Sequence, residues 1–193
     1  MPGKGLLFVI SAPSGAGKRT VLARVRTRDP NLAYSVSTTS RPPRADEIEG
    51  RDYHFVDRAE FERRIAAGRF AEWAEVHGNL YGTERVELER VRSQGQDVIL
   101  ELDVQGMRNV KSFEPKSVAM FIQPPSMAEL SRRLRHRATE APEAMALRLK
   151  NAEVEMAASP EYDYVIVNRD VEKAVEELET IIASERQKAR ERA

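Results

Sequence analysis

A segment near the start of the chain has the residue types and order that hold a phosphate. Ala12-Pro13-Ser14-Gly15-Ala16-Gly17-Lys18-Arg19-Thr20 follows an apolar run and opens a helix-forming stretch. Gly15 and Gly17 permit backbone angles that turn successive N–H groups inward and let an anion approach closely. The helix that follows aims the positive end of its dipole at the same point. Lys18 supplies a point charge suited to the β- and γ-phosphates of a triphosphate. The fit to G-x-x-x-x-G-K-[ST] is incomplete. Ala12 replaces the first glycine, Arg19 stands where Ser or Thr would bind magnesium, and Thr20 comes one residue later. The competing account is a tight strand-to-helix turn with no ligand.

A second group of residues suits a second anion. Arg41 and Arg44 flank the Pro42-Pro43 step. Proline fixes the backbone, so both guanidinium groups can be held towards one phosphate. Tyr53 and Tyr81 offer phenol hydroxyls that donate to the same kind of group. Phe70–Val76 alternates, which puts Glu72 on one strand face with Phe70, Ala74 and Val76. An acid on an apolar face needs a partner. Guanine fits, because its N1–H and N2 amino group are donors; an arginine in a structural bridge fits as well.

The elements that must position these residues read as an α/β protein. Leu6–Ile10, Val98–Leu102, Val118–Ile122 and Tyr164–Val167 are short apolar runs of the buried parallel-strand type, several separated by helical patterns. The first helix is expected over Gly17 to about Arg28, before Pro30. Ser126-Met127-Ala128-Glu129 has capping-box spacing after Pro124-Pro125. The last helix begins near Asp170, with Val171, Ala174, Val175, Leu178, Ile181 and Ile182 as its apolar stripe, and its charged tail from Glu185 is expected to fray. Tyr34 to about Thr83 holds short alternating stretches around a helix near Arg58–Ala67. From about Ser126 to Ser159 the chain is helical and arginine-rich, with a break at Thr139–Pro142.

Composition bounds the rest. The 193 residues suffice for one core with insertions. Lysine plus arginine, 31, equals aspartate plus glutamate, 31, so no global charge favours nucleic acid or a membrane surface. The chain has no cysteine, which excludes disulfides and thiolate metal sites and fits a reducing compartment. The opening apolar run is short and leads into the glycine loop, unlike a signal peptide. These features predict a cytoplasmic protein with no membrane partner.

The stretches SAPSGAGKRT, YSVSTTSRPPR with Glu47 and EGRDYHFV, FAEWAEVHGNLYGT, VILELDVQG, RLRHRATE and YVIVN together resemble the guanylate kinase family over residues 8 to about 175. Their order and spacing are far more specific than the phosphate loop alone. The resemblance implies a three-layer phosphate-loop core with a parallel sheet (residues 1–33, 84–125 and 160–193), a strand-rich GMP-binding insertion (34–83) and a helical lid (126–159).

It implies transfer of the γ-phosphoryl group of ATP to GMP, with Mg2+ as cofactor. Residues 12–20 would hold ATP, and Asn168 resembles the family's adenine-contacting asparagine. Arg41, Arg44, Tyr53 and Tyr81 would hold the GMP phosphate. Glu72 and Asp103, with Glu101 nearby, would read the guanine donors; Ser37 and Thr83 would meet O6 or its surroundings. Lys18, Arg137 and Arg148, with Arg41 and Arg44, would carry transition-state charge. Ala138 replaces the glycine of the family's R-G-T-E stretch, and Arg132 and Arg135 read as a solvated helix face. Magnesium would be held by the phosphates and water, with Thr20 or Asp103 as further ligands. The chain would act as a monomer or homodimer. The rival from another class is a non-catalytic guanylate-kinase-like binding module, against which Lys18 and both lid arginines stand.

Overall fold

A computed structural model describes residues 4–76, 78–137 and 142–192. It bears out the α/β class with a parallel sheet. Strand β1 (Leu7–Ser11), β2 (Leu32–Tyr34), β7 (Asp97–Glu101), β8 (Val118–Gln123) and β9 (Tyr164–Val167) form a five-stranded sheet in the order β2-β7-β1-β8-β9. The β2–β7, β1–β8 and β8–β9 pairs are parallel. All five residues of β1 are buried, as are Val98–Leu100 of β7 and Val118–Ile122 of β8. Strands covered on both faces need continuous apolar runs, which is why these segments do not alternate.

The contacts divide the chain into two compact units. The first comprises Met1–Leu7, Asn31–Leu100 and Gln105–Ser117. It contains a four-stranded sheet in the order β4-β3-β6-β5, made of β3 (Thr38–Thr39), β4 (His54–Phe55), β5 (Phe70–Val76) and β6 (Asn79–Glu84). Helix α2 (Arg58–Ala66) starts at Asp57, whose carboxylate accepts from the Glu60 amide at 2.7 Å. Its Phe61 stacks on Phe70 at 4.4 Å, and Leu80 completes this small core. Helices α3 (Arg85–Ser93) and α4 (Val104–Phe113) follow in sequence.

Here the expected alternation of β5 fails. A bulge between Phe70 and Glu72 shifts the register, so that Phe70 pairs with Glu84 while Glu72 pairs with Thr83. Paired residues share a face. Phe70 therefore lies with Leu80 and Phe61, and Glu72 lies on the opposite face with Ala74, Tyr81 and Thr83. The acid is not on an apolar face with Phe70; it faces hydroxyls.

The second unit comprises Phe8–Pro30, Glu101–Val104 and Val118–Ala193. Helix α1 (Lys18–Arg28) and α7 (Val171–Glu191) pack together. Asp170 caps α7 by accepting from the Lys173 amide at 3.0 Å, and Ala174, Val175, Leu178, Ile181 and Ile182 are buried. The tail does not fray at Glu185. Tyr164 donates to Glu185 at 2.6 Å and Lys188 bonds both, which holds the helix to Glu191. Helix α5 (Met127–Arg137) starts at Ser126, whose hydroxyl accepts from the Glu129 amide at 3.1 Å. It shares a core with α6 (Pro142–Ala157) through Leu130, Leu134 and Ala152. No helix among the described residues is long and apolar enough to cross a membrane.

Candidate active site

The loop between β1 and α1 is built around two left-handed glycines. Gly15 has φ 90° and Gly17 has φ 93°. A Cβ on Gly17 would stand 2.4 Å from Asn168 Nδ2, and one on Gly15 would stand 2.8 Å from Leu134 Cδ2. Glycine is required at both positions by conformation and by space. Among the described residues no acceptor receives the amides of Gly15, Gly17, Lys18 or Arg19. Successive free N–H groups at a helix start form an anion cradle.

Lys18 lies beside this cradle. Its ammonium is 3.7 Å from the Glu101 carboxylate. Burial lowers the Lys18 pKa, and the negative charges of Glu101, Glu155 and Asp103 oppose that shift. Burial raises the Glu155 carboxyl, and the Asp103 charge adds to the rise. Glu101 is thus in contact with the lysine, and the charges of Asp103 and Glu155 are near enough to act on it. Ser11, buried at the end of β1, donates to the Asp103 carbonyl at 3.4 Å. Arg19 and Thr20 are both exposed.

Asn168 is 1% exposed. Its Nδ2 donates to the Ala16 carbonyl at 2.7 Å, which ties the phosphate loop to the end of β9. Its Oδ1 is buried with no hydrogen-bond partner. Arg133 of α5, to which no role was assigned from the sequence, donates to the Asn168 carbonyl at 3.0 Å and reaches the Ala16 carbonyl at 3.5 Å. Glu129 holds that arginine at 2.8 Å, one helical turn away. Arg132 is exposed and also pairs with Glu129, and Arg135 is exposed, as a solvated face requires. Arg148 is exposed on α6. The Arg137 side chain and Ala138 lie outside the described residues.

The first unit holds the other group. Thr83 donates to the Glu72 carboxylate at 2.8 Å, and the Ser37 and Thr83 hydroxyls are 3.5 Å apart. Ser37, Thr83 and Glu72 thus form one polar line. Further along the same face of β6 stands Tyr81, whose ring meets Tyr53 edge-on at 5.9 Å. The Arg41 guanidinium lies 5.1 Å from the Tyr53 centroid and 5.8 Å from that of Phe55.

Glu47 organises this end. Its two oxygens accept from both terminal nitrogens of Arg41 at 2.6 Å, and one also accepts from the Arg44 amide at 2.8 Å. The pair is largely covered, at 12% and 14% exposure. Hydrogen bonds from Arg41 and the Arg44 amide hold the Glu47 carboxyl down to about 2, and the Arg41 pKa is raised in return. Arg44 is exposed, with no hydrogen bond to its guanidinium among the described residues. Glu47 was visible in the sequence as an acid inside a basic loop, six residues from Arg41.

The structure therefore brings Ser37, Thr83 and Glu72 together, and Arg41, Tyr53 and Tyr81 together. In the other unit it gathers residues 12–20 with Asn168, Glu101 and Asp103. Among the described residues no cluster of three or more His, Cys, Asp or Glu can hold a metal ion.

A family model described as guanylate kinase matches residues 4–185. The chain is 51% identical over 183 residues to a guanylate kinase of Thermosynechococcus vestitus, covering 95% of this chain and 96% of that protein. It is 49% identical to one of Symbiobacterium thermophilum, covering 95% and 87%. Among solved structures it is similar to the crystal structure of guanylate kinase from Anaplasma phagocytophilum, with TM-score 0.71 and 38% identity over 95% of this chain and 87% of that one.

Proposed function

The chain belongs to the guanylate kinase family and is an ATP:GMP phosphotransferase, and from that premise we propose which of its residues do the work. The observation that carries the assignment is the face of β6. Tyr81 lies at its Arg41 end and Thr83 at its Glu72 end, so this face carries Arg41 with the Tyr53 and Tyr81 phenols at one end and the Glu72 carboxylate at the other.

Arg41, Arg44, Tyr53 and Tyr81 bind the GMP phosphate. Glu72 accepts from the guanine N1–H and N2 amino group, with Ser37 and Thr83 at O6; Asp103 and Glu101, expected from the resemblance to be further guanine acceptors, lie in the other unit near Lys18. Thr83, whose one proton now goes to Glu72, would turn it to O6 as the guanine donors take its place on the carboxylate. Adenine lacks the N2 amino group and would leave the Glu72 carboxylate short of a donor, which is how such a site discriminates. Residues 12–20 cradle the triphosphate. Asn168 braces the loop through Nδ2, and its unpartnered Oδ1 is an acceptor suited to the adenine amino group. Residues 34–83 form the acceptor-binding insertion, 126–159 a lid, and 1–33, 84–125 and 160–193 the core.

The acceptor phosphate is already an anion, so transfer needs no general base. What the protein must supply is alignment, charge and exclusion of water. Lys18 and the loop amides face the transferred group, and Arg137 and Arg148 of the lid add positive charge. Thr20 or Asp103 would add an oxygen to a Mg2+ that arrives with the triphosphate. When bound, that ion neutralises charge on the phosphates. The use of ATP and GMP supports a cytoplasmic enzyme. The assignment is tested by coupled ADP release with GMP, AMP, CMP and UMP as acceptors. Turnover is expected with GMP; robust turnover with AMP and none with GMP would overturn it.

A further inference from the structure

Arg19 departs from the phosphate-loop pattern at the position where a hydroxyl would ligate magnesium. A guanidinium has five donors and no acceptor, so it cannot take that role. It is also badly placed for stability. Arg19 is the second residue of α1, whose first turn contains no acid. A cation there opposes the helix dipole and adds to the charge of Lys18.

The rest of α1 treats its arginines differently. Arg24 and Arg28 both pair with Glu172 of α7, and Arg28 also lies 3.5 Å from Glu179. Arg19 is exposed and has no acid partner among the described residues. Lys18, by contrast, is engaged with Glu101 at 3.7 Å, and the charges of Asp103 and Glu155 also act on it. An entering triphosphate meets a lysine already paired with a carboxylate. An unpaired cation one residue away supplies the balance.

We propose that Arg19 is a second cation of the triphosphate subsite, which binds the phosphate tail directly and takes over part of the charge neutralisation that a metal-ligating hydroxyl would otherwise arrange. The inference rests on the phosphate-loop reading above. It makes ATP binding less dependent on magnesium than a hydroxyl at this position would.

Calorimetric titration separates the two claims. ATP is titrated with excess EDTA and with excess Mg2+ into the unaltered protein, Arg19→Ser and Arg19→Lys. Losing one charge-assisted contact weakens metal-free ATP about tenfold in Arg19→Ser. The magnesium complex weakens by less, and Arg19→Lys keeps most of the affinity. The Tm of Arg19→Ser is raised, because an unfavourable cation has left the helix start. Equal affinity of Arg19→Ser and the unaltered protein for metal-free ATP overturns the role of Arg19 alone. Absence of ATP binding to the unaltered protein in both conditions overturns the phosphate-loop reading, and this inference with it.

Discussion

At the scale of single residues, Glu47 sets the geometry of the acceptor-phosphate end. Arginine is flexible, and holding its fork in one orientation before the ligand arrives lowers the entropic cost of binding. Glu47 does so by occupying both terminal nitrogens of Arg41 and fixing the Arg44 amide. Glu47→Gln retains the shape but not the charge. KM for GMP should rise about tenfold with kcat changed far less, the signature of lost ground-state positioning. The folded Glu47 carboxyl is held at about 2, below its ordinary 4.5. A depressed carboxyl contributes stability above its unfolded value and loses it as pH falls through the folded one. The Tm difference between the unaltered protein and Glu47→Gln should therefore be constant above about pH 5 and shrink between about 4.5 and 2. A difference that stays constant through that acid range would show that the pair contributes nothing to folding.

Elements explain why the residues hold their places. The turn into α1 exists in its observed form because Gly17 reaches φ 93° and leaves room for Asn168 at 2.4 Å from a notional Cβ. Asn168 then ties the loop to β9, and Arg133 ties β9 to α5. Gly17→Ala should cost about 1–3 kcal/mol of stability from the left-handed backbone alone. It should also push Asn168 off the Ala16 carbonyl and weaken ATP binding. Chemical denaturation and ATP titration on the same variant check both; full stability with unchanged ATP affinity would contradict the brace. The same elements show where sequence reading stops. Four of the five core strands were legible because their runs are locally apolar, although β9 is exposed at Val165 and Val167 and the three-residue β2 left no such run; the helix starts at Asp57, Ser126 and Asp170 follow from local capping chemistry. The bulge at Phe70 depends on the register of β6 and leaves no mark on local alternation. Arg133 finds its partners 35 and 117 residues away, and Glu185 is held by Tyr164, 21 residues earlier. None of those contacts has a periodicity to read.

Over the whole molecule, equal numbers of acids and bases conceal an uneven distribution. Arg24, Arg28, Arg58, Arg64 and Arg132 are spent in ion pairs with neighbouring glutamates. Among the described residues Arg19 and Arg44 are not, and both fall in segments assigned to phosphates. The phosphate loop alone says that an anion binds. In the proposed site the line from Ser37 through Thr83 to Glu72 would read the acceptor as a guanine nucleotide, and its correct face became visible only with the bulge in place. The central claim is thus carried by one carboxylate. The most direct measurement is the ratio of kcat/KM for GMP to that for AMP in the unaltered protein and in Glu72→Gln. Losing the acceptor for two guanine donors should lower that ratio about a hundredfold, with the Tm little changed. A ratio that is the same in both proteins would contradict the account.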